Sequence, residues 1–296
     1  MRVGAEIVTE PRSVLSVGAT LGEGPIWVAH DEALWFVDIK ERRIRRFDPV
    51  AALAHQWEAP AQVGWILPTA DGLFAVGLQS GIHRFNPATG GFSLLHAPER
   101  DQPGNRLNDA TVDPAGGLWF GSMDDAETAD SGRFYRLHKG TMTESGLPPV
   151  SITNGPALSP DGTLLYHTDT LGKRIWRTRI GADGALSDTC LFVEIEDGAG
   201  YPDGPAVDAD GCLWTGLFGG WAARRYDPSG KLMAEVRFPV ANVTKIAFGG
   251  PDLTVAYATT ARKGLTDQQL VEQPLAGDLF AFDPGVRGQA GHIAAI

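Results

Sequence analysis

Glu23, Asn108, Asn154 and Asp203 open segments of one kind: Glu23-Gly-Pro-Ile, Asn108-Asp-Ala-Thr, Asn154-Gly-Pro-Ala and Asp203-Gly-Pro-Ala. Each pairs an oxygen-bearing side chain with a turn-prone Gly or Asp, then a short apolar run, a Gly-containing turn and a second strand-like stretch. Two carboxylates and one or two amide oxygens are a hard-oxygen set suited to a divalent cation such as Ca²⁺, Mg²⁺ or Mn²⁺, and Zn²⁺ or Fe²⁺ also remain compatible. Converging carboxylates with no cation between them would repel, and one would keep its proton. Taken singly, each residue reads equally well as a turn cap, because Asn-Gly and Asp-Gly favour turns. Their shared place in a repeat is what favours a common site.

That repeat sets the architecture. Weaker copies begin at Val63 and Thr244, so six units of roughly 45 residues span the chain, a propeller period. An aromatic follows each start by eleven to thirteen residues: Trp35, Phe74, Trp119, Tyr166, Trp214 and Tyr257. The expected fold is all-β, a six-bladed β-propeller in one domain over residues 1–296. Residues 6–18 alternate like a strand and could complete the last blade, so that N- and C-terminal strands close the ring and remove an exposed edge. Phe47-Asp-Pro, Phe85-Asn-Pro, Tyr226-Asp-Pro and Phe282-Asp-Pro each end a strand. Residues 121–132 read as a polar loop able to cover a site. The insertion between Ala261 and Gly277 carries the one plausible short helix, near Thr266 to Val271.

Inner-strand starts lie at one mouth of a propeller's channel, so equivalent residues of different repeats converge there. Arg106, two residues before Asn108, either holds an oxygen-rich substrate beside that point or forms a salt bridge to a loop Asp. Asp38 and Asp169 read as backbone-orienting groups, and His167 as structural. Gly-x-Ser-x-Gly, His-Glu-x-x-His and Gly-Lys-Ser/Thr are absent. The net charge of −11 and the lack of a basic run argue against a nucleic-acid partner; Arg42, Arg43, Arg45 and Arg46 read as a solvated strand edge. Cys190 and Cys212 are far apart, which suits a reducing compartment, and no segment resembles a signal peptide or a membrane span. The expectation is a cytoplasmic protein, monomeric, with no membrane partner.

Leu21-Gly-Glu-Gly-Pro-Ile-Trp27, Arg106-Leu-Asn-Asp-Ala, Thr153-Asn-Gly-Pro, Ser159-Pro-Asp-Gly162 and Pro202-Asp-Gly204 resemble the gluconolactonase and regucalcin (senescence marker protein) family of six-bladed propeller hydrolases. Leu34-Trp-Phe-Val-Asp-Ile-Lys40, Tyr166-His-Thr-Asp-Thr and Thr259-Thr-Ala-Arg-Lys-Gly-Leu265 are similar to its bacterial pentonolactonases, xylonolactonases in particular. The resemblance implies that Glu23, Asn154 and Asp203 hold one divalent metal, that Arg106 and Asn108 contact substrate hydroxyls, and that Asp203 doubles as general base. It implies hydrolytic opening of a sugar lactone, with the metal acting as Lewis acid at the carbonyl. The family's lid glutamate has its counterpart somewhere in Met123-Asp-Asp-Ala-Glu127, where Asp124 is taken as a substrate contact. A phosphotriesterase-like or arylesterase-like hydrolase and a non-enzymatic binding propeller are the alternatives, because fold alone does not fix chemistry.

Overall fold

The computed structural model describes residues 9–296. Six four-stranded antiparallel sheets stand around one axis as a β-propeller. Each inner strand touches the inner strand of the next blade, and the first touches the sixth, which closes the ring. The six inner strands are Gly22–Val28, Val63–Pro68, Asn105–Val112, Thr153–Leu158, Tyr201–Val207 and Val243–Gly249. They are mostly buried, whereas outer strands such as Leu53–Glu58 face solvent. In the sixth blade the outermost strand is Arg12–Leu15, paired antiparallel with Leu279–Phe282. The N-terminal segment therefore closes the ring as expected, although the strand is shorter than residues 6–18, of which 6–8 lie outside the described residues.

The apolar core lies between blades. The six aromatics that follow the repeat starts sit on second strands and are buried. Trp35 stacks on Trp57 at 5.1 Å and meets Phe74 of the next blade at 4.3 Å. Every Trp in this set also spends its indole N–H on a carboxylate. Trp35, Trp119 and Trp214 donate to Asp31, Asp113 and Asp208 at 2.7, 3.0 and 2.9 Å. The residue opposite each Trp on the third strand is an Arg, namely Arg46, Arg136 and Arg225, and it pairs with the same Asp. Blades one, three and five thus share an Asp–Trp–Arg unit that ties the turn before the second strand to the third strand.

The Arg42–Arg46 group is not a sheet edge. Strand Arg43–Asp48 is third of four, and Arg43, Arg45 and Arg46 are engaged with Glu58, Gln56 and Asp31. The short helix is present as Asp267–Glu272, with Thr266 and Gln269 forming a reciprocal capping box. No described helix is long and apolar enough to cross a membrane.

Candidate active site in the channel mouth

All six inner strands slip register at the repeat start: between Glu23 and Ile26, Val63 and Trp65, Leu107 and Ala110, Asn154 and Ala157, Asp203 and Ala206, Val243 and Lys245. A bulge bends a strand and re-aims a side chain. Here it turns four polar side chains into one cavity of about 250 Å³, lined by Glu23, Arg106, Asn108, Asn154 and Asp203, with Ile39, Ile152, Leu171 and Tyr201 as an apolar wall. The bulges after Asn154 and Asp203 need glycine. Gly155 and Gly204 have φ of +76° and +39°, and a Cβ on Gly204 would lie 2.5 Å from Lys245 Cβ. The opposite channel mouth is lined by Gln289–His292, and the Gln289 amide reaches the carbonyls of Val207 and Asp208 at 3.1 and 3.3 Å.

Glu23 and Asp203 are held alike. One oxygen of each accepts the N–H of the next residue, Gly24 at 2.8 Å and Gly204 at 3.0 Å. The other oxygen has no protein donor among the described residues. Burial, then the charges of Asp203 and Asp109, hold the Glu23 carboxyl well above the usual carboxylate range. Burial, then Asp109, pushes Asp203 up to about 7. Asn154 turns its amide N–H toward Thr170 at 2.9 Å, which leaves its Oδ1 to face Asn108 Nδ2 at 3.2 Å. Among the described residues no three His, Cys, Asp or Glu side chains cluster for a metal. A cation here would therefore rest on two carboxylates and an amide oxygen, donors that fit a hard divalent ion.

Arg106 forms the salt bridge to a loop Asp and also lines the cavity. Its Nε donates to the loop carboxylate Asp125 at 2.8 Å, and its Nη1 to Asn108 Oδ1 at 2.6 Å, so the guanidinium is fixed while still lining the cavity. Asp125 also accepts from Lys40 and Gln62. Burial alone would raise its pKa, but these bonds and the Arg106 charge outweigh it and hold Asp125 at about 2.

Asp124 does not join them. Its carboxylate accepts the N–H groups of Ala126, Thr128 and Ala129 and the Thr128 hydroxyl, folding the loop on itself. An Asp at a strand end is captured by the turn that follows. Glu127, at φ +60° in that turn, lines the cavity instead. Asp38 and Asp169 orient backbone, accepting from Thr20 and Leu21 and from Gly172. His167 meets Thr178 at 3.1 Å and the edge of Phe134, and burial pushes it down to about 4.

Two ion pairs escape the sequence reading, and both span the axis between blades three and six. Asp109 meets Lys245 inside the channel, and Glu127 meets Lys263 at the mouth. Asp109 Oδ2 also accepts Gly155 N–H at 3.0 Å, which steadies the residue after Asn154. A signal existed. The residue after each repeat start is Gly24, Gly64, Asp109, Gly155, Gly204 or Lys245, so two opposite charges replace glycine three repeats apart.

Comparison with known proteins agrees with this geometry. Residues 21–262 match the family model described as SMP-30/Gluconolactonase/LRE-like region. The 6-deoxy-6-sulfogluconolactonase of Pseudomonas putida is 32% identical over 94% of this chain and 96% of its own. The L-arabinolactonase of Azospirillum brasilense is 34% identical over 92% and 91%. A crystal structure described as a calcium-binding protein, regucalcin, from Agrobacterium tumefaciens superposes with a TM-score of 0.92 at 29% identity, covering 96% of this chain and 97% of that one. The bulged inner strands, the cavity they open into and these matches together make the chain a member of the SMP-30/gluconolactonase family of β-propellers.

Proposed function

We propose that this protein hydrolyses aldonolactones to aldonic acids, pentonolactones such as xylonolactone in particular, at a divalent cation held by Glu23, Asn154 and Asp203. The observation that carries the reading is the geometry at Asp203: a buried carboxylate with one oxygen tied down by Gly204 N–H and the other facing the cavity beside Glu23 and Asn154. A carboxylate oxygen so placed is within reach of a water in the cavity and can act on it as general base. The lactonase names of the relatives support the reaction class. When bound, the cation supplies Lewis acidity toward the lactone carbonyl.

The rest falls to the chain itself. Asp203 takes a proton from water as its oxygen adds to the carbonyl carbon. The ring C–O bond then breaks, the ring oxygen takes up the proton held by Asp203, and a hydroxy acid leaves. Arg106 and Asn108, locked by Asp125 and by each other, hold the ring hydroxyls so that attack is aligned. Ile39, Ile152 and Leu171 give the cavity an apolar wall on the other side. The test is acid release from xylono-, arabinono- and gluconolactones by chelator-stripped protein with each divalent cation restored in turn, spontaneous opening subtracted. No acceleration with any cation would sink the reading.

Two further outcomes are expected. Arg106→Ala raises KM about tenfold or more, the worth of a charged hydrogen bond, while stoichiometric metal uptake is kept. Loss of metal from that variant, measured by calorimetry, would instead make Arg106 part of the cation's own support. Chelation lowers the melting temperature by about 5 °C where the cation stands at a hundredfold excess over its Kd. The loss grows with pH. In the stripped protein the raised Asp203 pKa favours the folded state at low pH, and that contribution fades as pH rises from about 4 through about 7. A melting difference that shrinks between pH 6 and pH 8 would contradict this.

A further inference from the structure

Glu127 and Lys263 come from the two loops that rise over the cavity, one after the second strand of blade three and one after the second strand of blade six. Their backbones are anchored. Lys263 N–H donates to Thr20 O at 2.9 Å, its carbonyl accepts from Asn242 at 3.0 Å, and Glu127 N–H donates to Asp124 O at 3.0 Å. Only the side chains are left to move, and they meet as an ion pair across the mouth. Both side chains line the same cavity as Glu23, Arg106 and Asp203, so the bridge closes over the site from one side to the other.

The pair is about one-third exposed on each side, 31% and 33%. Ion pairs that wet contribute little stability, so separating this one costs little. Beneath it, Arg106 and Asn108, fixed by Asp125, by Asn154 and by each other, serve the ring hydroxyls close to the carbonyl. What remains for the end of the substrate remote from its carbonyl is one ammonium and one carboxylate. A donor-only group beside an acceptor-only group is matched by two hydroxyls, one accepting from Lys263 and the other donating to Glu127. An anionic arm satisfies Lys263 but faces Glu127 as a like charge.

Resting on the lactonase reading, we propose that Lys263 is a specificity-determining residue: with Glu127 it forms a bridge that the substrate opens, and the two read a pair of uncharged hydroxyls remote from the lactone carbonyl. The substrate class is thereby a neutral polyhydroxy lactone rather than one ending in a carboxylate, phosphate or sulfonate.

The test compares wild type, Lys263→Met and Glu127→Gln on a pentonolactone, its 5-deoxy counterpart and a lactone with an anionic arm. Wild type is expected to prefer the full pentonolactone over the deoxy analogue by about tenfold or more in kcat/KM, mostly through KM. In both variants that ratio falls toward one. Equal losses on both lactones would mean a merely structural bridge, and an unchanged ratio a bridge that never touches substrate. Wild-type preference for the anionic-armed lactone would overturn the assigned substrate class. Calorimetric binding of the matching hydroxy acid and its 5-deoxy analogue reads the bridge without turnover. If wild type opens no lactone, yet the variants lose the hydroxyl-dependent part of that affinity, the lactonase reading fails and the bridge stands. If affinity is indifferent to the hydroxyl in all three proteins, the bridge fails too.

Discussion

Asp203→Ala is expected to abolish turnover and metal binding together, lowering kcat/KM by at least about 10³-fold. Loss of a general base alone accounts for about 10²- to 10⁴-fold, and loss of one of two carboxylates from the cation set adds to it. Asp203→Asn separates the two roles. It keeps an oxygen toward the cavity and removes the charge that Glu23 and Asp109 oppose, so burial of Glu23 becomes easier while proton abstraction is lost. Calorimetry with the added cation should then show weakened but measurable binding, and lactone opening should stay at the level of Asp203→Ala. Near-normal turnover by Asp203→Asn would remove Asp203 from the role of base and turn attention to Glu23, the other carboxylate with an oxygen facing the same cavity.

The fold was legible because a propeller writes its period into the chain. Each blade must bury an inner strand at the axis and an aromatic between sheets, and both recur with little drift. The start residues were legible for a second reason: each stands at a bulge, and a bulge followed by a left-handed turn calls for glycine, so Gly155 and Gly204 mark Asn154 and Asp203. What period alone could not reveal is pairing across the ring. Asp109 with Lys245 and Glu127 with Lys263 are each 136 residues apart, three blades along the chain and face to face across the axis. Asp124 shows the converse limit. Its type and place suit a substrate contact, yet three backbone N–H groups of its own turn take up its carboxylate. Local geometry of that kind is decided by loop backbone, on which the repeat is silent.

The Asp–Trp–Arg units should be where the ring is most easily undone. In blade five Asp208 is fully buried and its four bonds come from Trp214, Arg225, and the N–H groups of Asp210 and Cys212. Asp208→Ala leaves the Arg225 guanidinium, 4% exposed, with the exposed Asp210 as its one anionic partner among the described residues. Breaking a buried pair from one side costs about 3–5 kcal/mol, more than the two lost backbone bonds alone would. The same unit recurs at graded burial, which gives an internal control. Asp113 and Arg136 are 8% and 17% exposed, and Asp31 and Arg46 are 27% and 20%. Water can solvate the stranded Arg progressively better along that series, so urea midpoints should fall in the order Asp208→Ala, then Asp113→Ala, then Asp31→Ala, the last within about 1–2 kcal/mol of wild type. Adding Arg225→Met to Asp208→Ala removes the stranded charge and should recover part of the loss, whereas in blade one Arg46→Met should recover little. A flat series, or one in which Asp31→Ala is the most damaging, would mean that the backbone bonds of the turn, and not the buried charge, hold each blade's second strand to its third.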